Sequence, residues 1–94
     1  MMSKAKPPLT TEQQAEKARL RGLYDRLKGG WQERNGRYLS QRLLAEIVGE
    51  MVSGEPWTQG AISQYLSEKS ATKLNAAVVQ AMAQVLTFDP AEVG

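Results

Sequence analysis

The sequence contains no cysteine and no histidine, and each absence removes a class of chemistry. Without cysteine the chain has no disulfide, no thiolate metal site and no thiol nucleophile. Without histidine it lacks the commonest zinc ligand and the usual general base, which makes hydrolytic and metal-dependent catalysis poor explanations of its function. We therefore expect a protein that is not an enzyme and that uses no cofactor, metal or small-molecule substrate.

Long apolar runs are also missing. No stretch approaches the roughly 20 consecutive apolar residues of a membrane-spanning helix, and the N-terminal sequence MMSKAKPPLT lacks the apolar segment of a signal peptide. These features predict a soluble, cytoplasmic protein without a membrane partner. The 94 residues are 41% apolar, which suffices for one domain with a modest core.

Charge is unevenly distributed along the chain. The net charge is only +2, but residues 1–37 hold nine basic and four acidic residues, whereas residues 38–94 hold three basic and six acidic residues. The first part is therefore +5 and the second −3. A basic segment of this kind suits a polyanionic partner, although a solvated helix face would have the same composition.

The first predicted helix begins after Thr10, which can form a capping box with Gln13. Apolar residues then recur at helical spacing, namely Leu20, Leu23, Tyr24 and Leu27. The pair Gly29 and Gly30 predicts the end of this helix. The sequence leaves open whether residues 31–38 form a helical turn or a loop.

Three further helices and a last short turn follow. Ser40 is a good N-cap for a second helix reaching about Val52, and Thr58 is one for a third helix over 58–67. A fourth helix is predicted from about Asn75 to Leu86, followed by a short helical start at 88–93. We predict an all-α domain of four to five helices over residues 10–94, preceded by a flexible basic arm over residues 1–9. Its core is predicted to contain Leu20, Leu23, Tyr24, Leu27, Leu44, Ala45, Val48, Ile62, Tyr65, Leu66, Val79, Met82, Val85, Leu86 and Phe88.

The third predicted helix has an uncharged outer face. This face consists of Gln59, Gly60, Ser63, Gln64 and Ser67. The amides of Gln59 and Gln64 each offer a donor and an acceptor to the edge of a DNA base, and Gly60 and Ser63 permit close approach. An ordinary solvated helix surface is the alternative interpretation. We take Gln59, Gly60, Ser63 and Gln64 as candidate base contacts.

Several features in order along the chain resemble one family. They are the segment Lys6-Pro7-Pro8-Leu9-Thr10-Thr11-Glu12-Gln13, then Leu23-Tyr24, Leu39-Ser40-Gln41, Ala45, Gly49, Gln59, Ile62, and the stretch from Leu74-Asn75 to Glu92. Together these resemble the N-terminal DNA-binding domain of lambda-type phage repressors, of the Cro/CI-like helix-turn-helix type. The resemblance implies a homodimer that places its third helices in successive major grooves of a near-palindromic operator and represses transcription.

The resemblance also implies individual roles. Gln59 would contact an adenine through two hydrogen bonds, and Gln41 would hold a phosphate and brace Gln59. Gly60 and Ser63 would lie against base edges, and Asn75 would touch the DNA backbone. Lys4 and Lys6 would belong to an arm that wraps around the duplex. The remaining candidate backbone contacts are Arg37, Ser67 and Lys69.

The chain departs from the family in ways that prevent transfer of the operator sequence. It carries extra residues between Gly49 and Thr58, and Gly60 occupies the position of a base-contacting serine. Two other functions stay open: an antitoxin-type autoregulator with the same fold, and a helical protein-interaction adaptor with Met51, Val52 and Trp57 exposed. The pattern Ser-x-x-Lys at residues 70–73 matches serine-lysine nucleophiles. Capping of the fourth helix by Thr72 or Asn75 explains this polar cluster without catalysis.

Overall fold

The computed structural model describes residues 9–94, and this part of the chain is all-helical, with four α-helices and no strand. The elements are α1 Thr11–Asn35, α2 Gln41–Ser53, α3 Gln59–Leu66, α4 Ala76–Leu86 and a 3₁₀ turn Pro90–Glu92. The predicted all-α class is therefore confirmed. Most of the proposed arm, including Lys4 and Lys6, lies outside the described residues. Leu9, predicted from the sequence to belong to the arm, is instead buried against the domain.

Helix α1 is longer than predicted, because Gly29 and Gly30 do not end it. Each glycine costs the helix roughly 1 kcal/mol relative to alanine, but the continuing helix buries Trp31 in the core. Burial of a tryptophan side chain offsets that cost. The helix ends at Gly36, whose backbone φ of 70° is left-handed and whose N–H donates to the Gln32 carbonyl at 2.8 Å.

The predicted N-caps of α1, α2 and α3 are confirmed, and of the two candidates for α4, Thr72 and Asn75, the structure has Asn75. The Thr10 hydroxyl accepts from the Gln13 N–H at 3.1 Å, and the Gln13 side chain accepts from the Thr10 N–H at 2.9 Å, which completes the capping box. Ser40, Thr58 and Asn75 accept hydrogen bonds from the N–H three residues further on, at 3.1, 3.3 and 2.9 Å. These local bonds fix where α2, α3 and α4 begin.

The core is organised around α4, which packs against both α1 and α2, while α3 packs against α2 and α1. Its fully buried apolar side chains are Leu20, Leu39, Leu44, Ala45, Val48, Ile62, Val78 and Met82. The sequence predicted Val79 in this core, but Val78 is the buried valine and Val79 is only partly buried. Because α4 is apolar on nearly every side, its pattern does not determine which of two adjacent valines points inward.

Candidate nucleic-acid interface

The segment between α2 and α3 crosses directly over Gly49. The Trp57 N–H donates to the Ala45 carbonyl at 3.3 Å. A Cβ atom added to Gly49 would lie 2.6 Å from the Glu55 carbonyl oxygen and 2.6 Å from Trp57 Cγ, which is too close for any side chain. Glycine at this position is therefore required for residues 55–57 to pass over α2 and bring α3 against it.

The side chain of Trp57 also fixes the start of α3. Its indole N–H donates to the Ser53 hydroxyl at 3.1 Å, and that hydroxyl donates to the Gly49 carbonyl at 2.9 Å. The ring stacks on Tyr65, with 5.8 Å between centroids. Trp57 is therefore a packing group that joins α2, the intervening segment and α3 into one rigid unit.

Helix α3 buries one face and exposes another. Ile62 and Leu66 point into the core. On the outer side Gln59, Gly60 and Gln64 are exposed and Ser63 is half-buried. The structure thus brings the four candidate base contacts together on one short helix, none of them charged.

Gln64 makes one side-chain contact within the protein. Its side-chain oxygen accepts a hydrogen bond from the Thr72 hydroxyl at 3.1 Å, on the exposed side of the helix. Since an amide oxygen can accept two hydrogen bonds, Gln64 retains both a donor and an acceptor for a base edge. Gln59 is the other exposed amide of this face and lies at the start of α3.

The candidate backbone contacts of α2 and α4 stand at helix starts. Gln41 is the first residue of α2 and is half-buried. Asn75 is exposed, but its side-chain oxygen accepts from the Val78 N–H at 2.9 Å and so caps α4. Its amide nitrogen is a donor, and donation is what a phosphate oxygen requires.

The other candidate backbone contacts lie in two connecting segments. Ser67 follows α3 and is half-buried, and its hydroxyl accepts from the Lys69 N–H at 3.2 Å. The Lys69 side chain is exposed beside it. Arg37 lies in the α1–α2 connection, with its guanidinium 6.0 Å from the centroid of Trp31. This cation–π contact orients Arg37 without neutralising its charge.

Charged side chains of both signs lie at each end of α3. The groove between α2 and the start of α3 is lined in part by Arg42, Glu46 and Glu50, and Arg42 pairs with Glu46 at 3.6 Å across one helical turn. Past the end of α3, Lys69 and Arg21 line a cavity together with Asp25 and Glu68, and Arg21 pairs with Asp25 at 3.3 Å. Exposed ion pairs stabilise a fold by at most about 1 kcal/mol, so Arg42 can exchange Glu46 for a phosphate at little cost.

Leu9 lies at the same end of α3 as Lys69. It lines a shallow cavity together with Gln14, Glu68, Lys69, Ser70 and Ala71, so one acidic and one basic side chain meet there. The two lysines of the predicted arm, Lys4 and Lys6, precede Leu9 in the sequence.

Sequence reasoning missed Lys17, which is fully buried. Its ammonium donates to the carbonyl oxygens of Gln64 at 2.7 Å, Ser70 at 3.1 Å and Thr72 at 2.7 Å. Burial lowers the pKa of Lys17 below its ordinary value, while the three carbonyl oxygens supply the acceptors that an ammonium needs. The signal was its spacing, since Lys17 precedes Leu20 and Tyr24 on the buried stripe of α1.

No protein-family model matches the chain, and no curated protein sequence matches it. Within residues 9–94, no helix is both long enough and apolar enough to cross a lipid bilayer. The same part of the chain holds no group of acidic side chains that could bind a metal ion.

Proposed function

We propose that this protein binds double-stranded DNA sequence-specifically and acts as a transcriptional repressor of phage or prophage type. Helices α2 and α3 would form a lambda-repressor-like helix-turn-helix, with α3 in the major groove. The observation that carries the proposal is the uncharged outer face of α3, held rigid by the contacts of Gly49 and Trp57. Rigid placement matters because base contacts depend on hydrogen-bond geometry.

The dimensions of α3 suit this role. An α-helix with its side chains is roughly 10–12 Å across, which the major groove, about 12 Å wide, admits. The eight residues of α3 measure roughly 12 Å along the axis. One such helix reaches the bases of only a half-site. A homodimer would place the second α3 about 34 Å away, in the next major groove on the same side of the duplex.

Affinity and choice of site would come from different residues. Phosphate contacts supply affinity and its salt dependence, with log K falling by about 0.9 per phosphate neutralised. We assign these contacts to Lys4, Lys6, Arg37, Gln41, Ser67, Lys69 and Asn75. The choice of site would depend on Gln59, with Gly60 and Ser63 lying close to base edges and Gln64 donating one hydrogen bond.

The proposal is tested by selecting bound sites from random duplex DNA and then comparing variants on selected and random duplexes. Loss of the Gln59 amide removes a base contact worth about 1–3 kcal/mol. We therefore expect Gln59→Ala to weaken binding to the selected site by roughly 5- to 150-fold and to leave binding to random duplex unchanged. Gln84→Ala, at an exposed position of α4, is the matched control. Equal losses on both duplexes would show that α3 is not the recognition helix.

A protein-interaction adaptor is the main competing function. The exposed apolar surface that it would use is smaller than the sequence predicts, because Trp57 is half-buried and stacked on Tyr65 and Val52 is also half-buried. Met51 remains, with 44% of its surface exposed. Duplex affinity that falls steeply with salt supports DNA binding, whereas salt-independent association with another protein supports the adaptor.

A further inference from the structure

The buried ammonium of Lys17 connects three parts of the domain. Lys17 lies on α1, Gln64 lies in the last turn of α3, and Ser70 and Thr72 lie in the connection to α4. Among residues 9–94, Lys17 is the one charged side chain that is buried. Burying an ammonium is unfavourable unless it is hydrogen-bonded, and here all three of its N–H groups have carbonyl acceptors.

The end of α3 needs such a partner. The last carbonyl groups of a helix receive no hydrogen bond from N–H groups within the helix. In many helices a left-handed glycine that follows the last turn lets the next backbone N–H groups donate to them. Here α3 ends at Ser67, whose φ of −91° and ψ of 124° are extended. Lys17 supplies both the missing donor, at the Gln64 carbonyl, and a positive charge at the negative end of the helix dipole.

The same contacts lie directly behind the candidate interface. Gln64 offers its carbonyl to Lys17 and its side-chain oxygen to the Thr72 hydroxyl, and the Thr72 carbonyl also accepts from Lys17. Lys17 thus holds both ends of the connection between Gln64 and Thr72. An isolated helix of eight residues is unstable in water, so its geometry depends on such tertiary contacts.

We propose that Lys17 is a positioning residue of the DNA interface: it fixes the C-terminal half of α3 and the Ser67–Asn75 connection for base contact without touching DNA. This inference rests on the proposed function. A positioning role for Lys17 and a direct phosphate contact predict different dependences of DNA affinity on salt. Because the ammonium is buried, its loss should weaken specific binding without changing the salt dependence.

The first test compares Lys17→Met with Arg19→Met, which removes an exposed cation from the same helix. Lys17→Met retains an unbranched apolar side chain but leaves three carbonyls without their donor. We expect roughly tenfold weaker binding to the selected site, equivalent to about 1.4 kcal/mol. Binding to random duplex and the salt slope should be unchanged. Arg19→Met should retain full preference for the selected site.

A second test measures positioning directly by chemical rescue. Lys17→Ala leaves space beside the same three carbonyls, so n-propylammonium chloride should restore preference for the selected site. Tetramethylammonium chloride at equal ionic strength has no N–H to donate and should not. Backbone amides of residues 62–74 should exchange faster in the variant and slow again with the primary amine, while α1 and α4 keep their protection.

The wild-type chain provides a test that requires no variant to fold. A hydrogen-bonded, buried ammonium exchanges its protons slowly, so one lysine Nζ signal assigned to Lys17 should be visible by ¹⁵N NMR with and without DNA. A fast-exchanging Lys17, or a Lys17→Met protein that selects the same site with wild-type affinity, overturns the inference. A wild-type protein that prefers no duplex at all refutes the proposed function instead, and the interface role of Lys17 with it.

Discussion

Gly60→Ala should make the protein more stable and a poorer DNA-binding protein at the same time. Gly60 is exposed in the first turn of α3, and a Cβ atom added there has its nearest neighbour, Thr58 Oγ1, at 3.8 Å, an ordinary contact. Replacing a helical glycine by alanine stabilises a protein by roughly 0.5–1 kcal/mol. Since Gly60 lies near the helix end, we expect about 0.5 kcal/mol, or a rise in Tm of about 2–4 °C.

The same methyl group would project from the face proposed to meet the bases. Hydrogen bonds weaken beyond about 3.2 Å between heavy atoms, so displacement of α3 by a single methyl group would weaken the Gln59 contact. We expect specific affinity to fall by at least about 1 kcal/mol, or roughly fivefold. Thermal unfolding and titration of the selected duplex would measure the two effects on the same preparation.

Gly29→Ala is the matched control. Gly29 is an exposed residue within α1, and an added Cβ atom meets nothing within 4 Å. It should therefore raise stability by up to about 1 kcal/mol and leave DNA affinity unchanged. If Gly60→Ala were stabilising and bound the selected duplex as tightly as the wild type, the outer face of α3 would not lie close to DNA, and the reasoning would fail.

Three further predictions concern other parts of the molecule. Gly49→Ala should destabilise the fold by about 1–3 kcal/mol in urea unfolding, because the new Cβ would overlap the backbone over α2; wild-type stability would contradict this close approach. Burial raises the pKa of Tyr24, whose hydroxyl donates to the Leu39 carbonyl at 2.8 Å. Stability from this group is complete below its ordinary pKa of about 10 and is lost as pH rises from there through the raised pKa of the folded state. Tyr24→Phe should therefore flatten the alkaline decline in unfolding free energy. Tyr38→Phe, which removes only a secondary cause of the raised Tyr24 pKa, should flatten it less. Deleting residues 1–6 should reduce the salt slope of DNA binding by about two units if both arm lysines meet phosphates; an unchanged slope would count against an arm.

Local signals in the sequence predicted most of the fold. The caps at Ser40, Thr58 and Asn75 are interactions between residues three apart, so the sequence contains all of the information needed to place them. The end of α1 could not be predicted in this way. Gly29 and Gly30 favour termination locally, and only the burial of Trp31 against distant residues outweighs that preference.

In the candidate site, too, features set by local sequence could be predicted and contacts between distant segments could not. The exposed face of α3 follows from its apolar period, which turns Ile62 and Leu66 inward. In contrast, the bond between Gln64 and Thr72 joins side chains from different segments, and no periodic pattern encodes it. Lys17 is the clearest case, because its charge suggests a surface residue whereas its place on the buried stripe of α1 indicates the core.

An NMR titration of the wild-type protein with its selected duplex would locate the DNA-binding surface on α3 directly. We expect the largest shifts in the backbone amides of residues 58–67 and in the side-chain amide of Gln59, with contacts from that amide to base protons in the major groove. Shifts confined to another face of the domain, with the Gln59 amide unaffected at saturation, would contradict the account.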